Sequence, residues 1–253
     1  LIPEGAVCDL LRDSSGRYWI GFNDGHGLYL LENGKLENFR HRPGDPSSLS
    51  SDRVQSLCED AEGNIWIGTF NGLNKLDVST KKFSSYYKSF YGLTSSSIHS
   101  LLCDRQGTIW AGTYYGGVNY FNPAAQVYYK YGVSPYEKEG LSGPVVGSIV
   151  EDKNRHLWIG IDGDGLCRLD LRTRTFKWYK HSDRVNSLSH NNVKTICYDD
   201  TNDVLWIGTH LGGLNKLDLK TGRFRTYRHR ESDPHSLPSD IVEVIELYND
   251  KLV

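Results

Sequence analysis

The sequence holds no methionine, only five cysteines and eight prolines among 253 residues, and no apolar run that approaches the ~18 residues needed to cross a bilayer. The last absence excludes a membrane-spanning helix within this stretch. Neither charge is in surplus, because 29 Lys and Arg stand against 31 Asp and Glu. Nucleic acid, whose phosphates call for a basic face, is therefore not an expected partner. The cysteines, Cys8, Cys58, Cys103, Cys167 and Cys197, form no Cys-x-x-Cys pair, and their odd number leaves at least one thiol free. They read as small buried apolar residues rather than as a metal site. The opening Leu1-Ile2-Pro3-Glu4 has no initiator methionine and no signal sequence, so a processed or excised fragment is expected.

What is present is repetition. Trp19-Ile20-Gly21, Trp66-Ile67-Gly68-Thr69, Trp110-Ala111-Gly112-Thr113, Trp158-Ile159-Gly160 and Trp206-Ile207-Gly208-Thr209 write one phrase five times. Their tryptophans stand 47, 44, 48 and 48 residues apart, and Trp178 alone falls outside the series. A period in the forties with one apolar strand phrase per unit predicts a β-propeller or a related repeat architecture.

The second repeat shows the plan of a unit. Val54 to Cys58 alternates as a half-buried strand, and Glu59 to Asn64 is a turn in which Asp60 bonds its own backbone and Gly63 takes positive φ. Ile65 to Thr69, Leu73 to Asp77 and Phe83 to Tyr87 are the remaining strands. Four short antiparallel strands make one propeller blade. The expected fold is all-β, a β-propeller with blades at 7–39, 54–87, 98–131, 146–179 and 193–227 and a partial sixth at 242–253. That sixth blade begins at Ile241 to Ile245 and is cut after two strands, leaving an edge that a closed ring would hide.

Asp13-x-x-Gly16, Asp60-x-x-Gly63 and Asp104-x-x-Gly107 recur six residues before their tryptophans. Blade 4 keeps Asp152 but has Arg155 for the glycine, and blade 5 runs Asp199 to Asp203, one residue longer. The fourth strands share aromatic residues such as Phe83/Tyr86 and Phe176/Tyr179, which are expected to fill the space between blades.

The unit from Val54 to Asp77 resembles the two-component regulator propeller repeat, and Gly116-Gly117-Val118 and Gly212-Gly213-Leu214 show its doubled glycine. The likeness runs through five repeats, essentially the whole chain. It implies the periplasmic sensor region of an inner-membrane hybrid two-component histidine kinase. In that family, seven-bladed propellers precede a β-sandwich, a membrane helix and cytoplasmic kinase modules, so this chain is expected to be a fragment of a seven-bladed propeller. Many members sense glycan fragments and control polysaccharide-utilisation genes. The resemblance thus implies an oligosaccharide or other small periplasmic ligand, membrane attachment only through domains outside this chain, and a homodimer of the full-length receptor.

Function is sought where the repeats disagree. The long loops between blades carry two near copies, Arg40-His41-Arg42 and Arg228-His229-Arg230, whose recurrence suits loop architecture better than an anion clamp. The departures are His26, Tyr91, Tyr114, Tyr115, Tyr136, Asp162, Asp164 and His210. Aromatics beside carboxylates and imidazoles suit a sugar, with its apolar ring face and many hydroxyls, and these eight are the expected ligand-binding residues. Asp162-x-Asp164 lacks the run of oxygen ligands a calcium loop needs, so neither metal nor cofactor is expected. No catalytic residue is assigned. A propeller lyase or hydrolase acting on polysaccharide, or a protein-binding propeller scaffold, remain as alternatives.

Overall fold

The computed structural model describes residues 2–89, 92–122, 127–183, 186–248 and 251–252. Among these there is no helix, and hence none long and apolar enough to cross a membrane. Blade 1 is β1 (Val7–Arg12), β2 (Tyr18–Phe22), β3 (Gly27–Glu32) and β4 (Lys35–Phe39). Blade 2 is β5 (Val54–Glu59), β6 (Ile65–Thr69), β7 (Gly72–Asp77) and β8 (Lys82–Tyr86). Blade 3 is β9 (Ile98–Cys103), β10 (Ile109–Thr113), β11 (Gly117–Asn122) and β12 (Val127–Tyr131). Blade 4 is β13 (Val146–Glu151), β14 (His156–Ile161), β15 (Gly165–Asp170) and β16 (Thr175–Tyr179). Blade 5 is β17 (Val193–Asp199), β18 (Val204–Thr209), β19 (Gly213–Asp218) and β20 (Arg223–Tyr227). Each is a four-stranded sheet with its strands in chain order, the meander of a propeller blade.

After blade 5 the expected first strand at 241–245 is absent. Val242 instead donates its N–H to Thr209 O at 3.1 Å, and the chain then forms a two-stranded hairpin, β21 (Leu247–Tyr248) and β22 (Lys251–Leu252).

The chain divides into two compact units, residues 1–130 and 131–253. In the first, Trp19, Val54, Ile67 and Phe83 belong to a core shared by blades 1 and 2, and Trp66, Ile98, Ile109 and Phe121 to one shared by blades 2 and 3. In the second, Trp158, Leu166, Val193 and Ile207 lie in a core shared by blades 4 and 5. Fourth-strand aromatics do fill these seams: Phe39 meets Phe83 edge-on at 5.8 Å, and Tyr179 lies 6.2 Å from Phe224.

The Asp-x-x-Gly-x-x-Trp run has a direct physical cause. Asp60 Oδ1 accepts the backbone N–H groups of Glu62 and Asn64, closing the turn, while Oδ2 accepts Trp66 Nε1–H at 2.9 Å. Asp13 holds Trp19, Asp104 holds Trp110 and Asp152 holds Trp158 in the same way, at 2.8, 3.0 and 2.9 Å. One carboxylate thus fixes both the turn and the tryptophan ring of its own blade. Arg155, in the glycine's place, keeps the left-handed conformation at φ 69°.

Candidate functional site

The first strand of every blade carries a register shift, between Val7 and Asp9, Val54 and Ser56, Ile98 and Ser100, Val146 and Ser148, and Val193 and Thr195. Plain alternation, the expectation from sequence, breaks there because one extra residue enters the strand. Such a β-bulge re-aims a side chain. The residues so placed are Cys8, Gln55, His99, Gly147 and Lys194, which differ from blade to blade while the strands around them repeat. Each stands beside the turn between the second and third strands, because the start of the first strand pairs with the end of the second.

In the first unit, the bulge and turn residues build a row of rings. His99 stacks on Tyr114, with centroids 5.2 Å apart and planes 16° apart, and lies 5.9 Å from Phe70. Tyr114 meets Tyr115 edge-on at 4.4 Å. At the other end the guanidinium of Arg53 lies 3.9 Å over the Phe70 ring and donates through Nε to Asn23 O at 3.0 Å. Tyr115 has φ 61°, a conformation that costs a bulky L-residue roughly 1–2 kcal/mol. Burial does not offset that cost, since the side chain is 68% exposed. Blade 4 has Gly163 at this turn position, where the same conformation is free.

Of the sequence-predicted residues, the structure brings Tyr114 and Tyr115 together. His26 lies elsewhere in its own turn, its Nδ1 2.7 Å from Asp24 Oδ1. That hydrogen bond first, and the N–H of Ala6 second, hold the Asp24 carboxyl below its ordinary pKa. Tyr91 lies outside the described residues.

In the second unit, Asp162 pairs with the bulge residue Lys194 at 2.9 Å and Asp164 with Lys180 at 3.3 Å. His210 Nδ1 stands 3.7 Å from Glu243. Tyr136 is exposed on its loop and receives no ring contact from the other predicted residues among those described. Sequence reading missed Arg53, Phe70, His99 and Lys194. Their signal is faint: Arg53, His99 and Lys194 each lie next to a buried Val or Ile that opens a first strand, and the Phe70 N–H donates to Arg53 O.

Three cavities of about 330, 470 and 150 Å³ lie along fourth strands, and none of the three is lined by a predicted residue. The repeated loops beside the first two are held by their own histidines. His41 Nδ1–H donates to Leu49 O at 2.8 Å and His229 Nδ1–H to Leu237 O at 2.7 Å, as architecture requires. Among the described residues, no three His, Cys, Asp or Glu side chains gather as a metal ion would need.

The pattern of the two component regulator propeller family matches residues 48–71, 92–115, 140–163 and 187–210. The chain is 30% identical to the histidine kinase P4 of Formosa agariphila over 196 residues, which is 75% of this chain and 14% of that protein. The extracellular domain of the hybrid two component system BT3049 from B. thetaiotaomicron is similar with a TM-score of 0.75 and 20% identity, over 96% of this chain and 37% of that one. The virginiamycin B lyase of Staphylococcus aureus shares the fold at a TM-score of 0.67 and 14% identity, over 90% of this chain and 71% of the lyase. The chain therefore spans a small part of the curated relative it matches, and the likeness to the solved structures is one of fold.

Proposed function

We infer, for a chain that carries two component regulator propeller repeats, that it is the ligand-sensing part of the periplasmic region of a hybrid two-component sensor histidine kinase. It binds an oligosaccharide and passes a change of domain geometry to kinase modules that control polysaccharide-utilisation genes. The observation that carries this reading is the Tyr114–Tyr115 corner, two rings at 76° with Tyr115 strained and exposed. Strain without burial is held where a side chain has work outside the fold, and exposed tyrosine rings suit the apolar face of a pyranose. A ligand can bias signalling only through unequal affinity for two arrangements of the receptor.

The lyase fold likeness supports a second reading, an enzyme that cleaves polysaccharide. Against it, Asp24, Asp162 and Asp164 at the turns are each engaged by His26, Lys194 or Lys180, which suits binding better than proton abstraction. Incubation with a glycan panel separates the two. Binding by calorimetry with intact chains, lost in Tyr114→Ala and Tyr115→Ala, is the expected result. New reducing or unsaturated ends would identify an enzyme instead.

A further inference from the structure

The first unit's turn surface is not uniformly aromatic. Among the described residues, the exposed cation beside the rings is Arg53, and it differs from three arginines of the inter-blade loops. Arg40 is paired with Asp52 at 3.0 Å, Arg42 with Asp45 at 2.8 Å and Arg228 with Asp240 at 3.5 Å. Arg53 has no carboxylate partner among the described residues. It is held by stacking on Phe70 and by one hydrogen bond from Nε to a carbonyl, and its two terminal nitrogens have no partner among the described residues. A guanidinium stacked in this way keeps its in-plane donors for a bidentate acceptor. The neighbouring carboxylates do not compete for it: Asp52 is taken by Arg40 and by His41 N–H, and Asp24 by His26 and by Ala6 N–H. No other blade has a cation at this place, where Ser97, Val145 and Asn192 stand before their own first strands.

We propose that this surface selects an acidic saccharide. A carboxylate or sulfate group on the ligand is received by Arg53, while pyranose faces of the same chain lie on Tyr114 and Tyr115. The proposal rests on the sugar-binding reading above and narrows it from saccharides at large to anionic ones. The row from Arg53 through Phe70, His99 and Tyr114 to Tyr115 advances in steps of 3.9, 5.9, 5.2 and 4.4 Å, a run of one guanidinium and four rings that suits an oligosaccharide better than a single sugar. Charge-assisted bonds at an exposed site weaken with ionic strength, whereas ring stacking does not.

The test titrates this chain with tetragalacturonic acid, a sulfated carrageenan tetrasaccharide and neutral cellotetraose, at low and at physiological salt. The expected result is that one acidic probe binds at least tenfold more tightly than the neutral one, and that salt shrinks the difference. The two acidic probes tell carboxylate from sulfate. Arg53→Gln is expected to remove the preference by a tenfold or greater loss for the acidic probe, with no loss for the neutral one. Tyr115→Gly is expected to weaken binding of both while the melting temperature holds or rises, which separates a binding defect from a folding one. If the neutral probe binds as well as the acidic ones and Arg53→Gln changes neither, the anionic preference is overturned and the sugar reading stands. If no probe binds, or binding survives both Tyr114→Ala and Tyr115→Gly, both are overturned.

Discussion

Val54 lies so close upon Gly21 of the preceding blade that a β-carbon on the glycine would stand 2.6 Å from the valine Cγ1. The same relation joins Ile98 to Gly68 at 2.8 Å, and in the second unit Val193 to Gly160 at 2.6 Å and Val242 to Gly208 at 2.8 Å. These four glycines have no left-handed backbone. The Trp-Ile-Gly phrase therefore needs its glycine for a missing side chain, not for freedom of φ. Tryptophan packs in the cores shared by neighbouring blades, and glycine receives the knob of the chain segment that follows.

Gly21→Ala should cost about 1–3 kcal/mol, the usual penalty for overpacking a close-packed interior. Val54→Ala removes the clashing methyl groups, so Gly21→Ala in that background should cost distinctly less. Urea denaturation of the two single variants and the double variant measures the coupling, expected to be on the order of 1 kcal/mol and of compensating sign. Strict additivity would mean that the contact does not limit the approach of the blades.

Acid should loosen the blades through their turn carboxylates. Burial alone would raise the pKa of Asp60, but the hydrogen bonds from Trp66, from the Asn64 backbone and from the Asn64 side chain outweigh it, and the net shift is downward. Asp13 and Asp152 are also lowered, with burial again opposed by bonds from their own turns and tryptophans. A carboxyl whose folded pKa lies below its unfolded value of about 3.9 contributes stability that is complete above that value and is lost as pH falls through the folded pKa. Urea midpoints should thus stay level from pH 7 to about pH 5 and fall below about pH 4. Asp60→Asn should be less stable at neutral pH and show a shallower acid limb.

Blade 5 lacks the tryptophan-to-aspartate bond of the other four blades. Its longer turn commits Asp199 to the Asn202 backbone at 3.0 Å and side chain at 2.8 Å, and Trp206 Nε1 is left without a hydrogen-bond partner. Trp66→Phe deletes a bond to a buried carboxylate, whereas Trp206→Phe deletes none. The first should therefore cost about 1–3 kcal/mol more than the second, the price of leaving a buried polar group short of a partner. Equal losses on thermal melting would assign the tryptophans' worth to packing alone.

The blades were legible because they rest on a repeated local cause, the Asp carboxylate that joins turn to tryptophan, and repetition is visible in one dimension. Even the loss at Trp206 was foreshadowed by the extra residue between Asp199 and Asp203. The bulge was not legible. His99 and Lys194 look like ordinary alternating strand positions, and only the pairing of Ile98 with Thr113 and of Ser100 with Gly112 shows that one residue is left over. Phe70 and Arg53 escaped notice for a related reason, since a stack of ring and guanidinium joins residues 17 apart in sequence, with no motif between them. The turn tyrosines stood out because they interrupt a repeat, yet their strained backbone could not be read from composition.

Leu211 repeats the oddity of Tyr115 in the second unit, with φ 70° and a side chain 56% exposed. Replacing it with glycine removes a left-handed penalty of roughly 1–2 kcal/mol. The change also adds about 0.5–1 kcal/mol of chain entropy to the unfolded state. The net expectation is a gain of up to about 1 kcal/mol, or about 2–4 °C in melting temperature for a chain of this size. Leu211→Ala keeps the strain and should melt no higher than the parent, so the pair isolates backbone conformation from loss of side chain. Were Leu211→Gly to melt lower, its side chain would be contributing packing that its exposure argues against. A higher melting temperature would mean that this leucine, like Tyr115, is held against stability, and that the turn has a use for an apolar group facing out.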